Sequence, residues 1–140
     1  MCIRDRDNIF MRMSDSAWDK VFAINIDASM IICRKFIRGM VKNKWGRIVN
    51  ISSVVASTGN PGQSNYVAAK SALNGLTKSL ALEVATRGVT VNSISPGFID
   101  TAMTAKLTDD QKRKITEKIP MGKMGTGEDI SSLVSFLLPI

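Results

Sequence analysis

An α/β fold built on a parallel sheet is predicted by three features of this 140-residue chain. Two β-branched runs, residues 47–52 (RIVNIS) and 89–95 (VTVNSIS), have the length and composition of short buried strands. The stretch between them, from about 65 to 87, has a helical pattern and stops at Gly88, where a C-terminal glycine cap belongs. No hairpin turn joins the two runs. Strand, helix and strand therefore form a βαβ unit, with the strands parallel and neighbouring or nearly so.

Composition fits such a domain and removes several kinds of chemistry. An apolar share of 44% with 22% charged residues is ordinary for a soluble globular protein and allows a real core, although the length is short for an α/β enzyme. No run reaches the roughly 18 apolar residues of a membrane-spanning helix. No basic-then-apolar leader opens the chain, so the expected location is cytoplasmic, with no membrane partner. Cys2 and Cys33 are too few and too far apart for a disulfide framework or a metal cluster, and Cys33 reads as a small core residue. Histidine is absent, which excludes Ser-His-Asp and Cys-His nucleophiles and argues against a catalytic zinc; no metal is expected. The net charge of +7 suits an anionic cofactor or an acidic partner. The cations are spread from Arg34 to Lys123 without a finger or an aromatic RNP strand, so nucleic acid is not an expected partner.

In chain order, residues 1–6 (MCIRDR) fit no element and read as a start foreign to the domain. Ser14 or Ser16 can cap a helix beginning near Ala17, with Asp19 in its first turn. Apolar residues from Trp18 to Val41 keep a 3.6-residue period, and between 28 and 33 the helix is apolar nearly all round, which predicts burial on more than one side. On residues alone, Asn25 in this helix is a polar side chain facing solvent. After the closing strand and Pro96-Gly97, residues 101–106 suggest a short helix. Thr108-x-x-Gln111 opens another helix, to about 118, and Thr126-x-x-Asp129 a last one carrying Ile130, Leu133, Val134, Leu137 and Leu138. The whole reads as one three-layer α/β domain. Two strands with helices this apolar leave edges and faces uncovered, so the chain reads as the middle and back of a domain of the order of 200–250 residues.

The candidate site is the stretch 52–70, SSVVASTGNPGQSNYVAAK. Tyr66, the single tyrosine, and Lys70 stand at i and i+4, on one helical face and about 6 Å apart. An ammonium beside a phenol favours the phenolate, lowering a pKa that starts near ~10 and enabling acid–base work at neutral pH. Ser53, across the loop, can hold a carbonyl or hydroxyl against it. Taken alone, the pair is better read as a partly buried tyrosine beside a solvated lysine.

The ordered set resembles a family. Asn25 in a helix, WGRIVNISS placing Ser53 at a strand end, Tyr66-x-x-x-Lys70, then SPGFIDTAMT after the next strand are similar to the short-chain dehydrogenases/reductases. Within that family the resemblance is to the 3-oxoacyl-[acyl-carrier-protein] reductases of fatty-acid synthesis, through RDNIFMRMSDSAWDKVFAINI, NPGQSNYVAAKSALNGLTKSLALEVATRGVTVNSISPGFIDT, LTDDQK and IPMGKMGTGEDI, over about residues 5–138. It implies a Rossmann-like, doubly wound parallel sheet, incomplete here because the first βαβ half and the last strand are missing. It implies NADPH-dependent reduction of a 3-oxoacyl thioester, with NADH not excluded. Tyr66 would give a proton to the substrate oxygen, and Ser53 would hydrogen-bond that oxygen. Lys70 would lower the Tyr66 pKa and bind the nicotinamide ribose, and Asn25 would hold a water of the proton relay. Ser52 would merely end the strand. Pro96 and Gly97 would bend the chain under the nicotinamide, where Ile99 (through its backbone) and Thr101 would meet the carboxamide.

The family's Thr-Gly-x-x-x-Gly-x-Gly turn and its Asn-Asn-Ala-Gly do not occur here, and Gly122-Lys-Met-Gly125-Thr-Gly127 has no strand before it to make it a phosphate loop. The resemblance further implies acyl carrier protein as a partner, for which Lys42, Lys44, Arg47 and Arg87 offer a basic surface, and a homo-oligomer, a tetramer at full length. Two other readings stay open: a relative acting on a different ketone, alcohol or acyl-CoA, and an inactive piece that only self-associates.

Overall fold

The computed structural model describes residues 7–102, 104 and 107–138. The start at 1–6 thus lies outside the described residues, and the short helix expected at 101–106 lies partly outside them. The chain divides into two units, one ending at Ser95 and the other beginning at Pro96.

In the first unit, helix α1 (Asp15–Phe22) is capped by Ser14, whose hydroxyl accepts the Ala17 N–H at 3.2 Å. It runs on through a single π-helical segment, Ala23–Asp27, into α2 (Ala28–Asn43). Lys44 closes α2 in the left-handed region, at φ 52°. Strand β1 (Gly46–Ile51), a short helix α3 (Val55–Thr58), helix α4 (Ser64–Val84) and strand β2 (Val89–Ile94) follow. The two strands pair in parallel, Gly46 opposite Val89 and Ile51 opposite Ile94. The βαβ unit is therefore as predicted, each strand within a residue of its expected bounds.

Val84, Val89 and Val91 form the buried core, with Ile37, Met40 and Val41 of α2 and Leu80 of α4 packed on it. Both helices thus cover the same sheet face, the one carrying Ile48 and Asn50, while Thr90 and Ile51 on the other stay exposed. The described residues of this unit build a two-stranded parallel sheet with helices on one face, consistent with the incomplete doubly wound sheet expected. Asn50 pins the sheet to α4: its Nδ2 donates to Thr77 Oγ1 at 2.9 Å, and that hydroxyl donates to the Leu73 carbonyl at 2.8 Å. Satisfying a buried amide this way avoids a desolvation cost of about 1–3 kcal/mol.

Two expectations need correction. Ile31 and Ile32, predicted to be buried on more than one side, are 60% and 58% exposed, although Cys33 beside them is buried. An all-round apolar helix demands cover, but only one of its faces meets this sheet. Asn25 is not solvent-facing; it is 6% exposed and lies in the π segment that packs against α4.

Gly88 joins the helix end to β2 at φ 68°, and a Cβ there would lie 2.2 Å from the Lys44 carbonyl oxygen. Gly88→Ala is expected to destabilise the fold by about 2 kcal/mol or more, since left-handed strain adds about 1–2 kcal/mol before the clash is counted. Urea unfolding measures it; an unchanged midpoint would contradict the packing of β2 against the end of α2.

In the second unit, α5 (Asp109–Thr116) and α6 (Gly127–Leu137) begin at the predicted capping boxes, Thr108 with Gln111 and Thr126 with Asp129. The Thr126 backbone N–H and then its hydroxyl hold the Asp129 carboxyl below its usual pKa. A parallel bridge joins Ile99 to Gly125, fixed by Asp100 N–H to Gly125 O at 2.8 Å and Gly125 N–H to Phe98 O at 3.0 Å. Among the described residues, no helix is long and apolar enough to cross a membrane.

Candidate active site

The carboxyl end of β1 and the first turns of α4 bring three of the predicted side chains together. Ser53 follows the last strand residues, and Tyr66 and Lys70 stand on consecutive turns of α4. The Lys70 Nζ lies 5.7 Å from the Tyr66 ring centroid and donates to the Ile51 carbonyl at 2.7 Å. The Ser53 side chain acts on the phenol so as to favour its ionisation, and its Oγ accepts the Val55 N–H in a long 3.4 Å bond. A hydroxyl, a phenol and an ammonium are thus gathered near the strand ends, where open α/β sheets bind ligands.

The electrostatics differ from the sequence reading in one respect. Burial pushes the Tyr66 pKa above 10, and the Ser53 hydrogen bond only partly opposes it. The net lowering expected from Lys70 is not realised: burial is the larger influence, and the ammonium donates to the Ile51 carbonyl. Burial also pushes Lys70 itself down from 10.5. Asn25 sits in the π segment, which packs against α4, and its Nδ2 donates to the Val21 carbonyl at 2.9 Å.

Three contributors were not legible beforehand. Ser52, expected only to end the strand, is buried, donates its hydroxyl to the Lys70 carbonyl at 3.2 Å and its N–H to Ile94 O at 2.7 Å. Together with the Ile51–Lys70 bond it fixes Lys70 at both ends of its residue. Asn8 N–H donates to Gly62 O at 2.9 Å, and Gln63 Nε2 to Asp7 Oδ2 at 2.7 Å, tying the segment before α1 to the loop that leads into Tyr66. The doubled serine was the available signal for Ser52; nothing local marks Asp7 or Asn8. Pro96, Gly97, Ile99 and Thr101 belong to the second unit. There the Thr101 N–H donates to Thr104 Oγ1 at 2.7 Å, and the Thr104 hydroxyl lies 3.3 Å from the Ile99 carbonyl, so one buried threonine folds that turn. Among the described residues no cluster of metal-ligating side chains forms.

A family model described as enoyl-(acyl carrier protein) reductase matches residues 2–139. The chain belongs to the short-chain dehydrogenase/reductase family, whose members are oxidoreductases. The 3-oxoacyl-[acyl-carrier-protein] reductase of Rickettsia bellii is 52% identical over 132 residues, 94% of this chain and 55% of the relative. That of Haemophilus influenzae is 50% identical, covering 94% and 54%. Nodulation protein G of a Rhizobium species is 48% identical, with the same 94% and 54%. The chain spans about half the length of the curated relatives it matches, in keeping with a sheet of two strands.

Proposed function

We propose that this chain carries the carbonyl-reducing half of an NADPH-dependent 3-oxoacyl-[acyl-carrier-protein] reductase. The observation that carries the reading is the convergence of Ser53 and Lys70 on Tyr66. The hydride for the ketone carbon would come from NADPH held by these residues. Tyr66 gives its phenolic proton to the ketone oxygen, the C=O becomes CH–OH, and Ser53 hydrogen-bonds the same oxygen as charge develops on it. Lys70, partly exposed and with N–H donors beyond the one given to Ile51, fits the hydroxyl-bearing ribose of the cofactor. Asn25 anchors the water that returns the proton. In the second unit, Pro96, Gly97, Ile99 and Thr101 are the residues to which the family resemblance gives the nicotinamide.

The basic surface offered to an acidic carrier protein is supported by packing. Arg47 donates to the Gly88 carbonyl at 3.1 Å and lies 5.4 Å over the Trp45 ring, while Lys44 abuts Gly88, the neighbour of Arg87. Exposed Ile31, Ile32 and Phe36 on α2 support self-association into a homo-oligomer. A cytoplasmic location goes with this reading.

The family model's description gives a second reading, reduction of an enoyl thioester. A phenol acid beside a serine hydroxyl suits a ketone better, since reduction of a carbon–carbon double bond ends with a proton on carbon. The deciding assay follows NADPH oxidation by the domain completed to the length of its relatives. Acetoacetyl thioester on acyl carrier protein is expected to turn over fastest, ahead of the CoA thioester, with crotonyl thioester inert and NADH slower. Preference for crotonyl thioester would overturn the reading. In the 140-residue chain alone, self-association without NADPH binding by calorimetry would favour the inactive piece.

A further inference from the structure

Helix α4 begins without a side-chain cap: Gln63 at its N-cap makes no such bond. The role is taken from inside the helix. Asn65 Oδ1 accepts the N–H of Tyr66 at 2.8 Å, satisfying one of the orphan donors of the first turn. That bond fixes which way round the amide stands, because a flipped amide would set NH2 against N–H. Its Nδ2 is therefore directed inward, where it finds no acceptor among the described residues, and the whole side chain is 1% exposed. An amide left half-satisfied in the interior costs about 1–3 kcal/mol. Leu73 and Asn65 are the two largest side chains fully enclosed, and an apolar residue at 65 would carry no such cost.

We propose that Asn65 is a positioning residue for Tyr66, fixing the first turn of α4 so that the phenol stands against Ser53. The role rests on the proton-donor reading of Tyr66, but its test does not require turnover. Ser53 acts on the phenol from the turn after β1, and Lys70 of its own helix stands with its Nζ 5.7 Å from the ring centroid. The α1 and π segments packed on α4 bring Asp15, Asp19, Lys20 and Asp27, all exposed. Tyr66 is the only tyrosine, so the tyrosinate absorbance band reports it alone.

Asn65→Ala frees the turn, and the phenol is expected to titrate closer to an ordinary tyrosine than in the unsubstituted chain. Asn65→Asp keeps the acceptor for the Tyr66 N–H but places a carboxylate beside the phenol, and is expected to titrate higher than the unsubstituted chain. In the completed domain, Asn65→Ala is expected to lower kcat about tenfold with little change in KM, and Asn65→Asp to lose less once the pH is raised. A phenol that titrates identically in all three proteins, with circular dichroism unchanged, overturns the proposal. If Asn65→Ala does not fold, the Asp variant decides it, since an unshifted titration there has the same meaning. A shifted phenol in a domain that reduces no ketone would instead leave Asn65 as proposed and remove the reaction.

Discussion

Tyr66→Phe is expected to lower ketone reduction by about 10³-fold in kcat, within the range a positioned general acid supplies. The substitution removes one oxygen from a ring that is otherwise packed, so KM and the fold should hardly change. Ser53 remains to hydrogen-bond the ketone oxygen and leaves a residual rate. The same variant tests the direction of the titration. Burial raises the folded pKa of Tyr66 above the unfolded value of 10. Its contribution to stability is therefore full below pH 10 and is lost as pH rises through the folded pKa, because the unfolded chain ionises first. Tyr66→Phe should match the parent in urea at neutral pH and exceed it at strongly alkaline pH. Undiminished reduction would remove Tyr66 as the donor; equal stabilities at every pH would show that the phenol is not held in a desolvated place.

How much of this was legible depended on whether a feature is local. Ser14 before α1, the boxes at Thr108 and Thr126, and Gly88 after α4 each act within one turn of their own residue, and each stands where the sequence put it. The βαβ unit was legible because it is a matter of order alone. The π segment at Ala23–Asp27 was not: it shifts hydrogen bonding by one residue, leaves the apolar period almost intact, and yet carries the buried Asn25. The exposure of Ile31 and Ile32 was misread because periodicity reports that a face wants cover, not whether this chain supplies it. At the site, Ser53, Tyr66 and Lys70 were legible from their order. Ser52 and Asn65 were not, since their partners are backbone groups that only the docking of β1 on α4, or the geometry of a helix start, defines. The Tyr66 shift was misjudged for a related reason: spacing gives the lysine's distance, while burial settles which influence wins.

Lys70→Met separates the two uses of that ammonium. Methionine keeps most of the apolar stem and removes the charge, and with it the 2.7 Å bond to the Ile51 carbonyl. Loss of the charge is expected to lower kcat/KM about 10²-fold, through a phenol that is harder to ionise and a ribose that lacks its cationic donor. The single tyrosine should titrate higher than in the parent, since among the described residues no other cation stands over its ring. Stability is expected to move the other way. Burial lowers the folded pKa of Lys70 below 10.5, so the charged form is disfavoured in the fold throughout the neutral range, and that penalty is relieved only as pH rises towards the unfolded value. Partial exposure keeps the effect small, and the lost Ile51 bond offsets part of it. The urea midpoint at neutral pH should therefore stay level or rise while activity falls, as when a strained site is relaxed. Lys70→Arg would keep the charge but not the geometry of a compact ammonium, and is not expected to restore the rate. A fall in stability that tracked the fall in activity would make Lys70 a structural pin of the β1 end, with Ser52 as its partner, and would leave Tyr66 to act without it.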